Sequence, residues 1–266
     1  MKRIATIFTL GFASSLLATA ASAGVYVELV DHDIPANTTS LSQKLYVQGG
    51  NGRFVDTEGR ATIIKDNVMY IVDDSDHSFV AFDKATMEQL AKQIGTAMDK
   101  AKEQLAKLPP DQRAQMEQAM GLSTGEDAAK KWEVEAVDTG KNDKVDGRAC
   151  RVWDIKRNGE LDDQICVAPY ASLPGKENFQ VIFANFAKVF EEMAKSIPML
   201  AGMMNKEFDA QAKVKGFPVR SRAYDGGKLG DVEQLVKVWR EEEVPASMFE
   251  IPAGYKAKKM ATPGAE

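Results

Sequence analysis

Two hydrophobic periods divide this chain. Through the first third, apolar and polar residues alternate, and breakers at Gly49-Gly50-Asn51, Glu58-Gly59 and Asp66-Asn67 cut the alternation into short runs. A period of two bounded by turn residues is that of a half-buried strand. The pattern predicts strands over residues 24–31, 43–49, 52–57, 61–65, 68–73 and 78–83. Turns this short leave no room for helical crossovers, so these strands form an antiparallel meander.

Near Asp83 the period changes to that of a helix. Met87, Leu90, Ala91, Ile94, Met98, Ala101, Leu105 and Leu108 make one apolar stripe, which Pro109-Pro110 ends. Asp111 is a suitable cap for a second helix through Met120, and residues 121–125 read as a loop. Alternation returns over 131–138, where Trp132, Val134 and Ala136 share a face. A second helical stripe follows in residues 179–204, with Phe179, Ile182, Phe183, Phe186, Val189, Phe190 and Met193 at helical spacing. Lys188, Glu191, Glu192 and Lys195 interrupt it, so it is no membrane span, which needs about 18–20 nearly uncharged residues. A stripe this aromatic needs an apolar counterpart, either the protein's own sheet or a bound apolar guest. Those seven residues are the candidate ligand-lining set. The stripe breaks near Pro198 and resumes to about Phe208.

Between the two helical regions, residues 149–167 read as a hairpin. Arg157-Asn158-Gly159 suits a three-residue loop. That register sets Lys156 opposite Glu160, Asp154 opposite Asp162 and Cys150 opposite Cys166. It turns Trp153, Ile155, Leu161 and Ile165 to the other face, taken as the core side. Directly opposed cysteines are close enough for a disulfide. The opposed aspartates argue against this register, and a slipped or bulged one is the alternative. Strands at 217–224, 232–243 and 249–251 complete the chain. Strands, helices, strands, helix, strands is the layout of an α+β fold with helices against one face of an antiparallel sheet.

Composition adds a compartment. Lys2 and Arg3, an apolar run to Ala21 and the small-x-small triplet Ala21-Ser22-Ala23 read as a secretory signal peptide, residues 1–23, cut after Ala23. The exported product has no transmembrane segment and, in a double-membraned bacterium, is periplasmic. Losing Lys2 and Arg3 takes the formal net charge from −5 to −7, which argues against nucleic acid. Two cysteines in an oxidising compartment pair by default.

Chemistry is sparse. His32, in Asp31-His32-Asp33, and His77, after Asp73-Asp74-Ser75-Asp76, read as polar turns rather than metal ligands. The acidic run lacks the glycine and distal glutamate of a calcium loop. Met193, Met199, Met203 and Met204 read as apolar packing rather than a copper site. Glu241-Glu242-Glu243 reads as a solvated strand end facing Arg220 and Arg222. No nucleophile motif is present. The expectation is therefore no catalytic residue, no metal and no cofactor.

Three segments resemble a known group. Residues 108–116 (LPPDQRAQM), 145–153 (VDGRACRVW) and 247–255 (SMFEIPAGY) are similar to motifs of the bacterial family called domain of unknown function 4412. The last also resembles the closing motif of the outer-membrane lipoprotein carrier superfamily. The resemblance implies a LolA-like half-barrel, a curved antiparallel sheet with helices packed on its concave face, in a single domain over 24–256. A helical insertion at 84–120 and the internal disulfide depart from the carriers, and residues 257–266 form a tail. No residue aligns with the arginine that latches the carriers' lid, so Arg53 and Arg60 inherit no such role. The implied function is non-enzymatic carriage of a lipid, lipoprotein acyl chain or other apolar ligand. The alternative is an envelope-stress or protein-interaction module with a closed core, its charge-rich helix after Lys84 meeting an envelope protein partner. A hydrolase is a third class, resting only on scattered carboxylates.

Overall fold

A computed structural model describes residues 23–109, 112–113, 133–196, 206–207 and 209–258, without the side chains of Met193 and Ser196. Residues 1–22 of the signal peptide, the Asp111 helix apart from residues 112–113, Trp132, Met199, Met203, Met204 and the tail from residue 259 fall outside the described residues.

Six strands run in sequence: β1 (Gly24–Asp33), β2 (Thr38–Gln48), β3 (Asn51–Asp56), β4 (Arg60–Lys65), β5 (Val68–Asp73) and β6 (Ser78–Phe82). Each pairs antiparallel with the next, as the short turns require. Helix α1 (Lys84–Leu105) starts at Asp83, whose carboxylate accepts the Thr86 N–H at 2.8 Å. Such a cap stabilises a helix by about 1 kcal/mol. Then come β7 (Val134–Val145), β8 (Arg148–Arg157), β9 (Glu160–Ala168), helix α2 (Lys176–Ser196), β10 (Phe217–Asp225), β11 (Lys228–Glu242) and the short β12 (Lys256–Ala257).

The twelve strands among the described residues form one open, curved sheet, in the order β12-β6-β5-β4-β3-β2-β1-β11-β10-β9-β8-β7. The two meanders join where β1 pairs antiparallel with β11; among the described strands only β12 on β6 is parallel. Two register shifts flank Leu29, leaving Lys237 of β11 and Ser42 of β2 without partners across the ladder. Bulges of this kind bend a sheet and raise its twist.

One face carries the main core. Val25, Val27, Leu45, Val47, Val219, Val236 and Trp239 are buried there, and α2 lies across them. The opposite face has a smaller core of Ala61, Ile63 and Val72, covered by Val55, Tyr70, Phe79 and Tyr255. The alternation along β4 makes the division plain, since Ile63 belongs to one core and Ile64 to the other.

The hairpin departs from the sequence reading. Asn158 and Gly159, with φ of 52° and 85°, form a two-residue turn, so Arg157 pairs with Glu160. Both central residues at positive φ match the twist of the flanking strands. A bulge at Ile155–Lys156 then sets Asp154 opposite Gln164, which donates to it at 2.9 Å, and the expected clash of aspartates is absent. Cys166 stands opposite Val152, not Cys150. The disulfide still forms, with Cα atoms 5.3 Å apart.

The core assignment of this hairpin is reversed as well. Cys150, Val152 and Cys166 are buried in the main core, whereas Trp153, Ile155, Leu161 and Ile165 are only half-buried on the other face. There Glu207 and residues 209–214 approach Ile155 and Ile165: Ala210 is buried, and Glu207 bonds Arg157 at 3.1 Å. Helical chain thus covers both faces of the sheet. The strand expected at 249–251 is absent, because Ala246–Phe249 winds into a 3-10 turn. His32 lies in β1 rather than in a turn.

Candidate functional site

Helix α2 is seated by two asparagines at the turn between β2 and β3. Asn178, buried, accepts the Gly49 N–H at 3.0 Å and donates to the Ala23 carbonyl at 2.9 Å. Further along the same face, Asn185 donates to the Gly50 carbonyl at 2.8 Å. These bonds fix which stripe of the helix meets the sheet.

The predicted stripe divides into two flanks. Phe179, Ile182 and Val189 are buried. The Phe179 ring lies 5.3 Å from Phe217 and 4.7 Å from Trp239, whose indole N–H donates to Pro174 at 2.9 Å. Burying one such side chain is worth about 1.5–3 kcal/mol. Phe183, Phe186 and Phe190 are half-buried. Phe186 meets Phe54 edge-on at 6.1 Å and stacks on Phe190 at 5.3 Å, and Phe183 lies 6.2 Å from Tyr170. Burial pushes the Tyr170 phenol up to about 12, so it stays protonated at neutral pH. The side chain of Met193 lies outside the described residues.

Helix α1 touches both α2 and β6. Of its stripe, Met87 and Leu105 are buried, while Leu90, Ile94 and Met98 are half-buried. Helix α2 therefore spends one flank of its stripe on the core and leaves the other partly open, while along α1 the stripe is buried near its two ends and half-buried between them. Val181 of α2 is 46% exposed. Such a surface can bind apolar groups by contact and desolvation.

A polar cluster that the sequence reading missed spans β1, β10, β11 and β7. Glu233 is buried and receives His32 Nδ1 at 2.9 Å and Arg222 Nε at 2.6 Å. His32 Nε2 meets Asn37 at 3.2 Å. Arg220 donates to Asp143 at 2.8 Å and leaves its buried Nε without a hydrogen-bond partner. The Glu233 carboxylate, and secondarily Asn37, hold the His32 proton, raising its pKa above the ordinary histidine value. Burial pushes the Glu233 carboxyl up, but hydrogen bonds from His32 and Arg222 outweigh it and hold it below the usual range. Arg220 and Arg222 thus face Glu233 and Asp143, not the run at Glu241–Glu243. Only the cross-strand register brings these residues together, and the signal in sequence was the Arg-x-Arg alternation itself.

His77 sits in the turn before β6 at φ 54°, with its ring 5.2 Å from Tyr255. Among the described residues no group of three or more His, Cys, Asp and Glu gathers to hold a metal ion. None of the described helices is long and apolar enough to cross a membrane.

A family model described as Domain of unknown function (DUF4412) matches residues 80–255. No curated protein matches the chain. Among solved structures it is similar to the crystal structure of an uncharacterized conserved protein from Thermus thermophilus. That likeness covers 89% of this chain and 90% of that one, at 8% sequence identity and a TM-score of 0.42.

Proposed function

The chain belongs to the family described as Domain of unknown function (DUF4412), and from that premise we propose that it is a periplasmic, non-enzymatic carrier or binding protein for a lipid, lipoprotein acyl chain or other apolar ligand. One observation carries this reading. Phe183, Phe186 and Phe190 of α2 and Leu90, Ile94 and Met98 of α1 are half-buried on two helices that touch. A closed core would bury the stripe of each helix throughout; an apolar binding seam leaves part of it for its guest. The open, curved sheet suits a carrier of the half-barrel kind, and the Cys150–Cys166 bond suits an oxidising compartment.

The test is purification of the mature protein from periplasm, followed by native mass spectrometry and lipid extraction. A stoichiometric lipid, or saturable uptake of a hydrophobic fluorophore that the extracted lipid displaces, is the expected result. Protein without lipid, binding no fluorophore beyond a denatured-protein background, overturns it. A stoichiometric envelope protein in place of lipid favours an interaction module instead.

A further inference from the structure

The hydrogen-bonded turn that replaces the expected last strand borders an open hollow of about 540 Å³ against the sheet. It lies on the face away from α2, because Lys44 and Tyr46 alternate along β2 with the core residues Leu45 and Val47. Tyr46 pairs with Arg53, and Lys44 with Val55, so two cations and a phenol stand side by side on neighbouring strands. Met248, Ile251 and Pro252 make the apolar wall opposite.

The polar groups here are short of partners. Among the described residues Lys44 has no ion pair, although Glu28 faces it across the strands, and that carboxylate takes the Tyr26 hydroxyl instead. Among the described residues Arg53 makes one hydrogen bond, to the Met248 carbonyl at 3.5 Å, at the limit of such a bond. The Tyr46 hydroxyl has no hydrogen-bond partner among the described residues, and burial raises its pKa, keeping it a donor. The acid among the residues that line the hollow, Glu250, is paired with Lys65, while Glu242 and Glu28 act on Tyr46 from beside it. Neighbouring cations are likewise engaged, Arg60 by Asp56 and Glu58, and Arg240 by Glu242. Lys44 and Arg53, neither in an ion pair among the described residues, thus stand in the hollow beside the Tyr46 hydroxyl and against an apolar wall. Its volume is within the range of small-molecule sites, roughly 300–1,000 Å³.

We propose that the hollow between β2–β3 and residues 247–253 binds a small amphiphilic anion, its carboxylate or phosphate head on Lys44, Tyr46 and Arg53 and its apolar body along Met248, Ile251 and Pro252. Neither half of such a ligand suffices alone. An inorganic anion would leave the wall wet, and a neutral amphiphile would leave the cations uncompensated.

Isothermal titration of the mature chain at pH 7 with decanoate, decyl phosphate, decanol and inorganic phosphate tests this. Saturable one-to-one binding of decanoate or decyl phosphate is expected, with decanol and inorganic phosphate at least tenfold weaker; the tighter of the first two identifies the head. Lys44→Gln with Arg53→Gln should weaken binding at least tenfold, and Ser247→Trp, which fills the hollow from its rim, should do the same. Should the charge variant lose its fold by circular dichroism, Ser247→Trp decides alone. Equal binding of decanol, or wild-type affinity in Ser247→Trp, overturns the assignment. The same titrations on a Phe186→Ser, Phe190→Ser variant separate the two sites: binding that persists there and is abolished by Ser247→Trp belongs to the hollow, and loss of all binding there places the ligand on the helices and sinks this site while leaving the carrier reading standing.

Discussion

The ring of Phe179 lies 4.7 Å from the indole of Trp239, and this pair joins α2 to the middle of the sheet. Trp239 stands opposite Val27 across the β1–β11 junction, where the two meanders meet. Aromatic pairs contribute about 0.5–1.5 kcal/mol beyond their area, and truncating a buried phenylalanine leaves a cavity. Phe179→Ala should therefore cost about 3–5 kcal/mol, read from the urea midpoint at unchanged slope. A loss under about 1 kcal/mol would mean that the helix is not anchored there.

The meander was legible because its signals are local. Each strand from Gly24 to Phe82 is bounded by its own turn residues, and Asp83 marks the start of α1 directly, whereas that helix ends at Leu105, before the prolines expected to stop it. The hairpin shows what local reading cannot reach. Its turn is two residues rather than three, and the bulge at Ile155–Lys156 then restores the parity that the turn changed. The cysteines still bond, yet the identity of the core face depended on what covers each side. Both faces of this strand pair are apolar and both are covered, one by the main core and the other by Glu207 and residues 209–214, so alternation alone had no way to choose. The His32–Glu233–Arg222 contacts and the β2–β3 hollow needed strand register and the path of the C-terminal segment, neither of which periodicity encodes.

The disulfide closes the β8–β9 hairpin, with 16 residues of sequence separation, and both cysteines are buried. In the loop-entropy account such a bond stabilises by about 3 kcal/mol. Replacing both cysteines by alanine should lower the melting temperature by several degrees. Burial adds a kinetic expectation: dithiothreitol should reduce the native protein only as fast as it unfolds, and rapidly in urea. Fast reduction under native conditions would show that the main core opens locally at Cys166.

His32 makes stability depend on pH in a defined direction. Its folded pKa is raised by Glu233, so the contact stabilises fully below the unfolded value of about 6.5 and fades as pH rises through the folded one. Glu233 is lowered, so its contribution is present above the ordinary carboxylate range and is lost as pH falls through its folded pKa. The advantage of wild type over His32→Ala, from urea midpoints between pH 5 and 9, should be largest in the acidic half and shrink toward pH 9. An advantage that grows with pH would reverse the assigned direction.

Gly175 precedes α2 at φ 63°, and a Cβ built there would lie 2.2 Å from Val25 Cγ2, in the core. Both the backbone region and the space exclude a side chain. Gly175→Ala should cost about 1–3 kcal/mol, and Gly147→Ala, at φ 84° but with nothing near, should cost less. Comparing the two by thermal unfolding separates backbone strain from the clash. Equal losses would mean that α2 shifts freely on the sheet.

The two flanks of α2 should respond oppositely to substitution. Ile182 is 1% exposed, and Ile182→Ala should cost about 2–5 kcal/mol while leaving any bound lipid in place in the folded protein. Phe186 and Phe190 are half-buried and stack on each other, so Phe186→Ser with Phe190→Ser removes only the part of their area that is covered. That double change should cost roughly 1–2 kcal/mol per residue yet weaken binding of a displaceable hydrophobic fluorophore at least tenfold. Stability from urea titration and affinity from fluorescence, measured on the same preparations, give the two axes. If the double variant loses as much stability as Ile182→Ala and no affinity, the outer phenylalanines are ordinary core and the carrier reading falls.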